Sequence, residues 1–163
     1  MTASTGELSP ALRQAVVLVA REARAASRVL STASTETKNQ ALRAMADGLR
    51  AGREAILAAN AEDVREAMAA GLPAALLDRL TLTPKRVDEM VQSVAAVAEL
   101  PDPVGEVIRA WRQPNGLQIR KVRVPLGVIG IIYESRPNVT SECASLCVKS
   151  GNAVLLRGSA SAY

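Results

Sequence analysis

Two short segments hold the residue types that could act on a ligand. Glu134-Ser135-Arg136-Pro137-Asn138 follows the end of the apolar run Gly127–Tyr133, and Arg157-Gly158-Ser159 closes the run that begins at Ala153. If both runs are strands of an open parallel sheet, both segments lie beyond its carboxyl end, where ligands gather in such folds. The end of the second strand faces the adenosine ribose of a dinucleotide. An acid there prefers a free 2′-hydroxyl, and a cation accepts a 2′-phosphate. Arg157, with a glycine backbone and a serine hydroxyl beside it, therefore points to NADP over NAD. An ordinary surface Arg closing a strand would satisfy the same letters. The candidate cofactor-binding set is Glu134 and Ser135 at the first strand end, and Arg157, Gly158 and Ser159 at the second. The glycine fingerprint G-x-G-x-x-G of an ordinary dinucleotide turn is missing after the first strand,.

The first segment has two readings of its own. It can be a solvated turn in which Asn138 caps the following helix. Alternatively, Asn138 donates an amide hydrogen bond to a developing oxyanion, as a catalytic residue, while Arg136 holds an acidic substrate. Lys149 sits in the last turn of the same helix, where a cation is favoured by the helix dipole without further role. Gly130, inside a strand, implies close approach of another backbone or a ligand.

Composition removes several classes of chemistry. The 163 residues include no His, so a His-based triad, a His general base and a His metal site are excluded within this chain. Only Trp111, Tyr133 and Tyr163 are aromatic, which leaves almost nothing for base stacking,. The net charge is +4, and residues 1–99 carry twelve basic and twelve acidic groups, so the whole excess lies in residues 100–163. A local excess beside an α/β segment fits a small anionic ligand at least as well as a nucleic acid. Cys143 and Cys147 stand at i, i+4 on one helix, a poor geometry for a bond between them. They read as two small buried apolar residues of a cytosolic protein. No apolar run approaches membrane-spanning length and Met1–Pro10 has no signal-peptide pattern, so a cytoplasmic location is expected.

The elements that must position these residues follow from periodicity. Ser9-Pro10 reads as a helix N-cap and first turn, and Leu12, Val16, Val19, Ala23, Ala26 and Leu30 form one apolar seam,. A second helix is expected from about Thr35 to Ala59, and a third capped by Asn60, with Asp63 near its positive end and Gly71 closing it. Thr83-Pro84 starts another that runs to about Glu99, stopped by Pro101-Asp102-Pro103. From Val104 the period changes to two. Alternating runs flank Pro114-Asn115-Gly116, a strong hairpin signal. Gly127–Tyr133 suits a strand buried on both faces, Asn138–Lys149 a helix, and Ala153–Arg157 a second buried strand. These make one right-handed β-α-β unit with parallel strands.

The letters themselves carry a resemblance. Val124-Pro-Leu-Gly-Val-Ile-Gly-Ile-Ile-Tyr-Glu-Ser-Arg-Pro-Asn-Val-Thr140 and Lys149-Ser-Gly-Asn-Ala-Val-Leu-Leu-Arg-Gly158 closely resemble the gamma-glutamyl phosphate reductase family of the aldehyde dehydrogenase superfamily. Ile56–Asp63, Leu77–Leu80 and Asp102–Glu106 are similar to it as well. The resemblance implies an α/β, aldehyde dehydrogenase-like fold. Residues 1–103 would be the N-terminal helical part of the cofactor domain, 104–124 the hairpin of an oligomerisation element, and 125–163 the first β-α-β unit of an NADP-binding domain. It implies NADPH-dependent reduction of L-glutamyl 5-phosphate to glutamate 5-semialdehyde with release of phosphate, in proline biosynthesis, by a homo-oligomer that needs neither nucleic acid nor membrane. In the family a cysteine thiolate attacks the acyl phosphate and hydride resolves the thioester. Arg157 takes the place of the ribose-binding Lys of ordinary aldehyde dehydrogenases, and Asn138 corresponds to their oxyanion Asn.

Family chains are much longer, and the segment with the nucleophilic Cys comes after the part that this chain resembles. Neither Cys143 nor Cys147 lies in a matching context. The expectation is therefore an N-terminal portion, inactive by itself. A non-catalytic α/β module that binds a nucleotide or a partner is the alternative reading of the same elements.

Overall fold

The computed structural model describes residues 9–134 and 136–158. Within them lie six helices and four strands, in the order α1 (Pro10–Leu30), α2 (Thr35–Ala51), α3 (Arg53–Ala69), α4 (Ala74–Leu80), α5 (Pro84–Glu99), β1 (Val107–Arg112), β2 (Gln118–Val122), β3 (Val128–Ile132), α6 (Asn138–Lys149) and β4 (Ala153–Arg157).

Side-chain oxygens start the helices where the sequence has hydroxyl residues. Ser9 accepts from Leu12 N–H at 3.2 Å, Ser34 from Thr37 N–H at 3.1 Å and Thr83 from Arg86 N–H at 3.2 Å,. The core is the face between α2 and α5. Leu42 and Val94 are fully buried there, with Ala46, Val91, Val97 and Ala98 around them. Aliphatic and alanine side chains let the two helices approach closely, and α6 packs against both.

β3 and β4 pair in parallel, from Val128 with Ala153 to Ile132 with Arg157, with α6 as the crossover. Asn152 fixes this register at its start. Its Oδ1 accepts from Gly127 N–H at 2.8 Å, while Ala153 N–H donates to the Gly127 carbonyl at 2.9 Å. The preceding Gly151 has φ +72°, and a Cβ there would meet Pro125 Cγ at 2.9 Å and Val104 Cγ2 at 3.2 Å. Only glycine fits this junction of α6 with the hairpin.

β1 and β2 form a separate antiparallel ribbon with a bulge between Val107 and Arg109. Its turn runs over Gln113–Gly116, closed by Gly116 N–H to the Gln113 carbonyl at 2.9 Å, with Gly116 at φ +90°.

Several expectations are corrected. The helix expected over Thr35–Ala59 breaks at Gly52, whose N–H still bonds to the Gly48 carbonyl while its own carbonyl accepts from Ile56. Asn60 is no cap but lies in the middle of α3, buried, with Nδ2 donating to the Leu80 carbonyl at 2.9 Å and Oδ1 accepting from Leu82 N–H at 2.6 Å. Its amide thus satisfies the backbone of the segment after α4, a short helix that the periodicity did not reveal. The α1 seam is only partly used. Its C-terminal end meets β3 and β4, whereas Leu12, Val16 and Val19 are about half exposed. Among the described residues β3 is not buried on both faces, because α1 and α6, which pack on the β3–β4 pair, cover it only in part: its residues are half-buried or exposed, and Ile132 is 80% exposed. The backbone that approaches Gly130 is that of Leu155 in β4, its ladder partner, while a Cβ placed on Gly130 has no neighbour within 4 Å among the described residues.

Two buried lysines tie the helices together. Lys38 of α2 lies 2.6 Å from the carboxylate of Asp102, which also accepts from Thr35 Oγ1 at 2.7 Å and Val104 N–H at 3.0 Å. Burial by itself opposes the charge on Asp102, but the hydrogen bonds from Lys38, Thr35 and Val104 and the Lys38 charge outweigh it and hold the carboxyl below its ordinary value,. Lys149 does more than complement a helix dipole. Its ammonium donates to Asn39 Oδ1 at 2.6 Å and to the Ala98 carbonyl at 2.8 Å, pinning α6 to α2 and α5.

Candidate functional site

The site grows from the carboxyl end of the parallel pair. The ladder ends where Tyr133 N–H donates to the Arg157 carbonyl at 3.1 Å. That bond sets the end of β4 beside the loop leading into α6. Arg157 is exposed there and Gly158 half-buried, while Glu134 is exposed on the neighbouring strand end. Ser135 and Ser159, the remaining candidates, lie outside the described residues. Tyr133 Oη is 2.6 Å from Thr140 Oγ1, which fastens the loop to the first turn of α6.

Asn138 is the first residue of α6, and the position before it is held by Pro137, so the capping alternative for Asn138 does not apply. Its Nδ2 donates instead to Glu142 Oε1 at 3.0 Å, one helical turn on. Asn138 and Arg136 share the wall of a cavity of about 250 Å³ between the α6 N-terminus and the α4–α5 connection, together with Asp78, Arg79, Arg86 and Glu142. Arg86 is already engaged, donating to the carbonyls of Asp78 and Thr81 and to Asp78 Oδ1. Glu142 and Arg79 were not singled out from the sequence. The i, i+4 spacing of Asn138 and Glu142 was a readable signal for the first; the second reaches the site only because α4 folds over it.

A second cavity, of about 600 Å³ and mostly apolar, lies among α2, α3, α5 and α6, with Met45, Leu49, Ile56, Met90 and Ala144 in its wall. Asp63 stands at its rim, its carboxyl pushed up by burial and then by Glu66.

The two cysteines are free thiols, Cys143 half-buried and Cys147 buried. Cys147 is buried, and burial first, then the neighbouring Cys143, push its thiol upward, away from the thiolate that attacks an acyl carbon,. Among the described residues no group of three His, Cys, Asp or Glu side chains is placed to hold a metal, and no helix is long and apolar enough to cross a membrane.

Comparison with known proteins bears on this geometry. No family model matches the chain. A gamma-glutamyl phosphate reductase from Rhodopseudomonas palustris (strain HaA2) is 54% identical over 165 residues, covering all of this chain and 38% of that protein. One from Thermobifida fusca (strain YX) is 58% identical, covering 89% of this chain and 35% of the relative. The crystal structure of gamma-glutamyl phosphate reductase from Thermotoga maritima superposes with a TM-score of 0.87 at 49% identity, over 90% of this chain and 36% of that one. A probable aldehyde dehydrogenase from Listeria monocytogenes shares the fold alone, with a TM-score of 0.66 at 16% identity. The chain spans little more than a third of the curated relatives it matches. The chain that carries Tyr133 and Arg157 at these strand ends therefore belongs to the gamma-glutamyl phosphate reductase family.

Proposed function

We propose that the chain supplies the first β-α-β unit of the NADPH site and one wall of the substrate cleft in a cytoplasmic reductase. That enzyme converts L-glutamyl 5-phosphate to glutamate 5-semialdehyde with release of phosphate, a step of proline biosynthesis. The observation that carries the reading is the exposed Arg157 at the carboxyl end of β4, bonded through its carbonyl to the loop that holds Arg136 and Asn138.

The residues present suit NADPH. No Asp or Glu occurs between Glu142 and Tyr163 to claim a ribose 2′-hydroxyl, and Arg157 offers a guanidinium with several donors to a 2′-phosphate,. Glu134 and Gly158, beside it, and Ser135 and Ser159 complete the candidate cofactor set. When bound, NADPH supplies hydride. This chain's part is to hold the phosphate-bearing ribose at Arg157 and to aim the Asn138 amide at the substrate oxygen that gains charge. In that role the amide swings from Glu142 to the substrate. The nucleophilic cysteine is supplied from outside the present residues, since neither Cys143 nor Cys147 fits the task.

The ribbon β1–β2 supports a homo-oligomer. Its strands are exposed along almost their whole length, with Val107, Ile108 and Trp111 each more than a third exposed. Two isolated strands are marginal in water, and unpaired edges seek a partner.

The deciding measurement is an assay of the complete protein carrying this sequence, with acyl phosphate and NADPH. Consumption of NADPH matched by release of phosphate is expected. NADPH binding without turnover would instead support the non-catalytic module.

A further inference from the structure

The cavity shared by Arg136 and Glu142 has a charge pattern that a phosphate site would not choose. Its wall carries three arginines, Arg79, Arg86 and Arg136, and also Asp78, Glu89 and Glu142. Arg86 and Asp78 satisfy each other at 3.1 Å. The others differ in commitment. Arg79 and Arg136 are exposed at the mouth, and neither takes part in an ion pair among the described residues. Glu142 accepts one hydrogen bond from Asn138 at Oε1, and a carboxylate has room for about four,. Glu142 is thereby oriented, and its second oxygen accepts no hydrogen bond among the described residues. A dianion entering this cleft would meet the arginines and the carboxylates together, and the latter repel it. A zwitterion is complementary to both.

We propose that this cleft binds the α-amino-acid head of the substrate, with Glu142 receiving the α-ammonium and Arg136 the α-carboxylate; this rests on the reductase reading above and names the specificity site within it. The placement is consistent with chemistry at the strand ends. The cleft opens at the N-terminus of α6, one loop from the end of β3, so a head group held there directs its side chain toward the carboxyl end of the sheet. Asn138 orients Glu142 before substrate arrives, through its 3.0 Å hydrogen bond to Oε1, and releases it once the substrate ammonium takes its place. Arg79, on α4, adds a second cation at the mouth.

The test is the reverse reaction of the complete enzyme, with NADP⁺ and inorganic phosphate, on two aldehydes. Glutamate 5-semialdehyde carries the α-ammonium, and 5-oxopentanoate is the same chain without it. Wild-type enzyme should prefer the first. In Glu142→Gln that preference, as the ratio of the two kcat/KM values, should fall by about tenfold or more, because the lost interaction is made by the amino-bearing substrate alone. Arg136→Gln should raise KM for both aldehydes, since both keep the carboxylate, and leave KM for phosphate in place. An unchanged preference in Glu142→Gln, or a rise in phosphate KM without a rise in aldehyde KM in Arg136→Gln, overturns the assignment. Wild-type enzyme that turns over neither aldehyde would overturn the reductase reading itself. The Arg136 arm keeps the question decidable if Glu142→Gln does not fold.

Discussion

Tyr133 and Arg157 are joined by the last hydrogen bond of the parallel pair, from the Tyr133 N–H to the Arg157 carbonyl at 3.1 Å. The bond uses only backbone, so it leaves the Arg157 guanidinium exposed beside the loop that begins at Glu134. A substitution at Arg157 thus removes a charge from the strand end without removing the ladder that presents it. Arg157→Ala in the complete enzyme should weaken NADPH by about tenfold or more, since a charge-assisted hydrogen bond is worth about 1.5–3 kcal/mol and 1.4 kcal/mol is one decade. NADH should change much less. Measuring kcat/KM for both cofactors checks this. Equal losses would assign Arg157 to the shared ribose or to the fold.

The 163-residue chain alone should show no reductase activity. Its one strongly buried thiol, Cys147, is pushed away from ionisation, and the relatives are nearly three times longer than this chain. Purified chain incubated with acyl phosphate and NADPH should leave NADPH unconsumed. Turnover that follows the chain through repurification would contradict the assignment of the nucleophile to residues outside it.

Asp102 should make stability fall in acid. Its folded-state carboxyl titrates below the ordinary 3.8, so its contribution is complete above that value and is lost as pH drops through the lower folded value,. Lys38→Met removes the partner and leaves a largely buried carboxylate, at a cost of about 3 kcal/mol near neutral pH. It should also flatten the dependence of stability on pH in the acid range. Denaturant unfolding at several pH values reads both effects; the same slope in both proteins would mean Asp102 is not the titrating group.

Gly151→Ala should destabilise the junction of α6 and the hairpin by about 2 kcal/mol or more, from the positive φ together with a Cβ too close to Pro125,. Thermal unfolding measures it. Gly130→Ala is the internal control, since its Cβ meets nothing within 4 Å, and it should cost far less.

The ribbon edges predict association. The chain should self-associate in sedimentation experiments, and Trp111→Glu should weaken that association. Trp111 is partly exposed and stacked by Arg109 at 5.2 Å, so a carboxylate there places a charge on the pairing face,. A monomer at all concentrations would argue against pairing through this ribbon.

What the sequence determined by itself is local in its physics. Ser9 and Thr83 could start helices because a side-chain oxygen reaches an N–H three residues on, and the hairpin and the β-α-β unit followed from a change of period and from turn residues. The family resemblance, carried by the loop at Glu134–Asn138 and the end of β4, needed only the order of letters. Tertiary structure decided the rest, because it depends on which distant backbone groups need a partner. Asn60 has the chemistry of a cap, yet the carbonyl of Leu80 and the N–H of Leu82 claim its amide, and α3 runs through it. Lys149 matched a helix-end cation, yet it is buried because Asn39 and Ala98 supply acceptors from two other helices. Glu142 drew no attention in the sequence. The packing of α5 against α6 brings it into one cavity with Arg79 and Arg136, residues that no sequence spacing relates.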